Sequence, residues 1–150
     1  MTDNIKLFEI KHAEQIISEG LNDKLMEKDA SFSEDTRIFK YSKKGQAFTY
    51  FLNDKPVFAC GIVQLWDGVA EAWVLAGINV FDIKILAAKT IKRLQDETCK
   101  KYKIKRLQTS VKADFKRGIR FATWCGFTNE GLKRKYGPDG SDYYQMSVIY

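Results

Sequence analysis

The stretch VAEAWVLAGINVFDIKILAAKTIKRLQDETCKKYKIKRLQTSV, residues 69–111, decides the fold. Its first eight residues are apolar apart from Glu71 and follow Trp66-Asp67-Gly68, a turn signal, so they predict a β-strand. Period two then gives way to helical spacing, with Ile83, Leu86, Ala87, Ile91, Leu94 and Thr98 available to one inward face. Lys89, Lys92, Arg93, Lys100 and Lys101 fall mainly on the solvated side, and Asp82 is placed to cap the helix or to favour its positive N-terminal end. Residues 104–111 return to a strand pattern. A strand, a long helix and a strand predict a parallel crossover at the centre of a mixed sheet.

Working outward, residues 47–52 and 56–65 read as two strands joined by the polar turn Asn53-Asp54-Lys55. The first 30 residues place Ile10, Ala13, Ile16, Ile17, Leu21 and Leu25 on one helical face, which predicts one or two helices opening the chain, with Gly20 as a break. Beyond the crossover, residues 114–125 predict a shorter helix that offers Phe115, Ile119, Ala122, Phe121 and Cys125 to the core and stops at Gly126. A closing hairpin follows, turned at residues 137–140, Gly-Pro-Asp-Gly.

The chain has 150 residues, 45% apolar and 13% aromatic, enough for one hydrophobic core without disulfide or metal staples. Cys60, Cys99 and Cys125 are odd in number and widely spaced, which favours a reducing compartment, with the cytoplasm as the expected location. A single His and the lack of a CxxC pair argue against a zinc site, so no metal is expected. Neither a basic n-region with an apolar run nor a stretch of about 20 apolar residues is found, so neither a signal peptide nor a membrane span is expected. Residues 1–80 carry a balance of −3 and residues 81–150 one of +9, an asymmetry that suits an anionic ligand on the second half or simple solubility.

The element order, the strand VAEAWVLA, the run RFATWCGF followed by NEG, and YGPDGSDYYQM resemble the GCN5-related N-acetyltransferase (GNAT) family over most of the chain. The aromatic-rich, compact version is most similar to small acetyltransferase-like proteins of bacteriophages, including internal virion proteins. The resemblance implies an α/β (α+β) fold, a GNAT-like mixed and mostly antiparallel central sheet flanked by helices, as one domain over residues 1–150. It also implies acetyl-CoA held where the sheet splays, its pyrophosphate near the start of the long helix. There exposed N–H groups and the helix dipole favour anions. The corresponding stretch is LAGINVFDI, with Leu75, Ala76, Gly77, Asn79, Val80, Asp82 and Ile83 as cofactor-binding candidates. The family's Arg or Gln, two spacers, Gly, spacer, Gly or Ala pattern is absent there. Gly77 therefore reads either as a ligand-loop glycine or as an ordinary turn glycine.

Glu71 is the proton-transfer candidate, because an acid inside an apolar strand gains a raised pKa on partial burial. Its alternative is an outward-facing or hydrogen-bonded structural Glu. The family's acid tyrosine aligns with Ala122, and its Asn near the helix start with Phe115, beside Asp114. Tyr136 and Tyr143, together with Tyr144, are the hydroxyls that the closing hairpin brings toward a cleft, against a packing role. Cys125 reads as a core thiol with no activating partner, His12 included. Trp66, Trp73 and Trp124 are expected in the core for at least two of the three. Residues 100–106 and 133–136 are basic strings that suit solvated surface, nucleic acid or a coenzyme phosphate.

Three functions follow. The first is acetyl transfer from acetyl-CoA to a primary amine, either a small molecule or a protein amino group. The second is an inactive fold serving as a phage virion or host-interaction module, in the virion or the host cytoplasm. The third is a nucleic-acid-binding adaptor.

Overall fold

The computed structural model describes residues 4–21 and 38–150. One seven-stranded sheet has the order β1-β2-β3-β4-β5-β7-β6. Its strands are β1 Ile5–Leu7, β2 Ala47–Leu52, β3 Lys55–Trp66, β4 Val69–Ala76, β5 Arg106–Lys112, β6 Thr128–Lys133 and β7 Tyr143–Ile149. Only β4 and β5 pair in parallel, and the chain between them forms the long helix that the change of period predicts. The described helices are α1 Ile10–Glu19, α2 Lys84–Lys101 and α3 Lys116–Trp124. None of these is long and apolar enough to cross a membrane.

Strand alternation sorts the core onto two faces. On one face α2 presses Ala87, Ile91 and Leu94 against Phe58, Cys60 and Ala76. Beside it, Ala122 and Cys125 from the α3 region meet Leu107 and Met146. On the other face α1 brings Ala13 and Ile16 onto Ala59, Trp73 and Leu75. That helix covers only β2 to β4. The same face of β5 carries Arg106, Gln108, Ser110 and Lys112 instead.

Several expectations change. The chain opens with a strand, not a helix, among the described residues, because Ile5–Leu7 pairs with Tyr50 to Phe48. Three residues are too few for alternation to reveal, and only Ile5 of the three is buried. Ile10 and Leu86 lie on helical spacing yet are 39% and 47% exposed, since each sits at the first turn of its helix, beyond the strands it would cover. Leu25 lies outside the described residues. Asp82 does not cap α2. A 3₁₀ turn over Ile78–Ile83 absorbs it, and the N-cap position belongs to Ile83, which offers no side-chain cap. Of the three tryptophans only Trp73 is in the core, whereas Trp66 and Trp124 are 64% and 49% exposed. Trp66 ends its strand, and Trp124 ends α3 with its ring stacked on Phe121 at 6.5 Å.

Candidate functional site

The parallel pair is joined at three positions only: Val69 with Arg106, Ala70 with Leu107 and Glu71 with Gln108. Past Glu71 each strand follows its outer neighbour. β4 stays paired with β3 as far as Ala76, and β5 stays paired with β7 as far as Lys112. The sheet therefore splays in its middle, with Glu71 at the apex. Side chains take up backbone groups at the opening, where the Thr109 hydroxyl reaches the Ala72 carbonyl at 3.5 Å and the Gln145 amide reaches the Thr109 carbonyl at 3.5 Å.

Glu71 points to the α1 side of the sheet, just beyond the helix's cover. Gln108 Nε2 donates to its Oε2 at 3.1 Å. Burial pushes the Glu71 carboxyl above the ordinary carboxylate value of 4.5, and the Gln108 hydrogen bond and the Lys133 and Arg106 charges oppose that rise without cancelling it. Arg106 is itself fixed, donating to Gln108 Oε1 at 2.9 Å and meeting Glu130 across 2.6 Å. Lys133 crosses from β6 to donate to the Ser110 hydroxyl. Sequence reasoning singled out Glu71 as a candidate and did not anticipate this frame. Its signal was nevertheless present: Arg106, Gln108, Ser110 and Lys112 are alternate polar residues of one strand and so share one face.

The loop expected to hold a coenzyme is built differently from the expectation. Leu75, Ala76 and Val80 are buried in the core and offer only main chain. Gly77 donates its N–H to the Val57 carbonyl at 2.9 Å, and a Cβ there would lie 2.8 Å from that oxygen and 3.3 Å from Ile16 Cγ2. Glycine is thus required for close approach to β3 and α1. Asn79 and Asp82 are exposed and Ile83 is half-buried at the start of α2, whose first turn contains no acidic residue. An open strand edge leading into an uncapped helix start fits a ligand with amides and phosphates at the level of the backbone.

The hydroxyl candidates separate. Tyr143 pairs with Lys112, four residues along β7 from the Ser147 that faces Gln108, so it lies roughly 13 Å down the sheet from Glu71. It is wholly buried beneath Tyr136, whose ring meets it edge-on at 5.3 Å. Tyr136 is 47% exposed and lies above the Lys133 ammonium, 3.7 Å from the ring centroid. Tyr144 faces the opposite side, among the α3 core residues. Burial pushes the Cys125 thiol up to about 12, which matches an inert core thiol. His12 is remote from it: its Nδ1 accepts from the Glu9 N–H at 3.1 Å and meets the Thr49 hydroxyl at 2.9 Å.

No family model matches this sequence, and no curated protein does. Solved structures match over nearly the whole chain. A GNAT-family acetyltransferase from Bacillus anthracis superposes with a TM-score of 0.72 at 18% identity, covering 99% of this chain and 96% of that one. The ribosomal-protein-S18-alanine N-acetyltransferase of Escherichia coli gives 0.71 at 19%, over 97% and 92%. A spermidine N-acetyltransferase chimera from Vibrio cholerae and hSSAT gives 0.72 at 15%, over 97% and 93%. The fold is that of the GNAT acetyltransferases.

Proposed function

We propose that the protein transfers an acetyl group from acetyl-CoA to a primary amine, with Glu71 as the group that receives the amine's proton, directly or through a water. The observation that carries this reading is the splay between β4 and β5 with a half-buried, pKa-raised carboxylate at its apex. A base must be ionised near neutral pH yet basic enough to accept a proton, and burial of Glu71 moves it toward that compromise. In the reaction the neutral amine attacks the thioester carbonyl, a C–N bond forms, the C–S bond breaks, and the amine proton passes to Glu71 while CoA leaves as thiolate. A thiol with a pKa of about 8.5 or a little higher leaves readily, so the alanine at position 122 does not stop the step. Of the tyrosines, Tyr136 has the solvent access that protonation of the thiolate needs, and Tyr143 has none.

The coenzyme would lie along residues 72–76, with its pyrophosphate against the main chain of Asn79 to Ile83 at the start of α2. Gly77 would serve that arrangement indirectly, by seating the turn. A role for the same fold in a virion or host contact, without catalysis, is the alternative that experiment separates. Calorimetric titration with acetyl-CoA, followed by mass spectrometry of amines incubated with protein and acetyl-CoA, tests the reading. Saturable binding and a 42 Da gain on the amine, roughly the mass of an acetyl group replacing a proton, support it, since the chemistry requires acyl transfer. Absence of binding at millimolar acetyl-CoA overturns it.

A further inference from the structure

Among the described residues the polar face around Glu71 holds three cations, Arg106, Lys112 and Lys133, and they are not equivalent. Arg106 is matched by Glu130, and Lys112 stands 3.5 Å from Asp139. Lys133 has no carboxylate within ion-pair reach among the described residues. Its ammonium is held by neutral groups, the Ser110 hydroxyl and the face of Tyr136. Both holders position it. Ser110 lies two residues beyond Gln108 on the same face of β5, so the ammonium is fixed roughly 7 Å further along the opening than the amide that orients Glu71.

A half-buried ammonium whose direct contacts are all neutral, and which feels the Glu71 carboxylate only beyond ion-pair distance, is costly in an empty site and useful in a loaded one. The amine to be acetylated has to approach Glu71, and in its resting protonated form it is drawn there by the carboxylate. A second positive group on the same substrate would then meet Lys133 at short range and be repelled. A negative group would be welcomed.

Resting on the acetyl-transfer reading above, we propose that Lys133 is a specificity-determining residue that binds a carboxylate of the acceptor, and that the acceptor is an amino acid-like molecule whose amine meets Glu71 while its carboxylate meets Lys133. Polyamine-like acceptors are disfavoured by the same charge. Gln145, opposite Ser110, and Ser147, opposite Gln108, line the same face and provide neutral hydrogen-bonding walls between the two charges.

The test compares γ-aminobutyrate with γ-aminobutyramide as acceptors, each at a pH that gives equal fractions of free amine. The expected result is a kcat/KM ratio of about 10 or more in favour of the acid, carried by KM, as one charge-assisted contact would give. In Lys133→Met the ratio should fall toward one through a higher KM for the acid. Lys133→Arg should retain a preference, and Ser110→Ala, which frees the ammonium, should reduce it. Circular dichroism melts verify that each variant is folded, and the conservative Arg variant keeps the test decisive if Met is not tolerated. Transfer to both acceptors with no preference, or a preference unchanged in both Lys133→Met and Ser110→Ala, overturns this inference and leaves acetyl transfer standing. Binding of acetyl-CoA without transfer to either amine overturns it also and leaves the coenzyme reading standing. No binding of acetyl-CoA overturns both.

Discussion

On the α1 side, the sheet has two differently built halves that meet at the boundary between β4 and β5. From β2 to β4 the face is dry: Trp73 lies among Phe8 and Phe39 at 5.0 and 5.6 Å, its indole N–H donating to the Ser42 hydroxyl at 2.8 Å, under Ala13 and Ile16 of α1. From β5 to β6 the same face holds Arg106, Gln108, Ser110, Lys133 and Gln145, joined by side-chain hydrogen bonds and covered by no described helix. The parity of the strands is common to both halves, so the difference lies in residue chemistry. Apolar residues on the first half bind α1, and no described helix lies on the polar residues of the second. Glu71 and Trp73 are two residues apart on β4, Trp73 packed with α1 and Glu71 hydrogen-bonded across the boundary to Gln108 of β5.

The dry half should break hardest. Trp73→Ala removes a buried indole and its hydrogen bond, and a loss of about 3–5 kcal/mol is expected in urea unfolding. Gly77→Leu follows, at about 2–3 kcal/mol, since its Cβ would be forced against the Val57 carbonyl. A Gly77 variant therefore reports packing first, and a loss of coenzyme binding in it would not by itself mark a ligand contact.

A third test uses the edge of the dry half. Because the Glu9 N–H can only donate, His12 Nδ1 carries a lone pair and the ring is neutral, and its pKa is lowered from 6.5 chiefly by burial, with Lys11 and Lys6 assisting and Glu9 opposing. A depressed histidine pKa means that the unfolded chain takes the proton first. Stability is then complete above pH 6.5 and falls as pH drops through 6.5 toward the folded-state value. His12→Gln should flatten that part of the stability profile. The wet half should give the smallest effect, with Arg106→Met leaving thermal unfolding nearly unchanged, because its partner Glu130 is at the surface.

These contrasts also explain what the sequence made legible. The crossover was readable because residues 69–111 contain a full change of period, long enough to be unambiguous. Glu71 was readable as a candidate because one acid in an apolar strand is conspicuous. Gln108, Ser110 and Lys133 were not, since their role depends on which strands become neighbours, and β6 reaches β5 only across β7. Gly77 was legible as a glycine of consequence, but the oxygen that requires it belongs to Val57, twenty residues earlier in the chain. Asp82 matched the sequence signal for a cap and lost the position to Ile83 when the 3₁₀ turn extended the approach to α2.

The central claim is that the carboxylate at the splay takes the proton. The direct measurement is the pH dependence of acetyl transfer in the wild type and in Glu71→Gln, with stability followed in parallel. The wild-type rate should rise with pH through an acidic limb displaced above 4.5, because the raised Glu71 must ionise before it can act as base. Glu71→Gln should lose that limb and a factor of about 10²–10⁴ in rate while remaining folded, its amide still able to meet Gln108. A folded Glu71→Gln protein that keeps the wild-type rate and the same acidic limb would contradict the account.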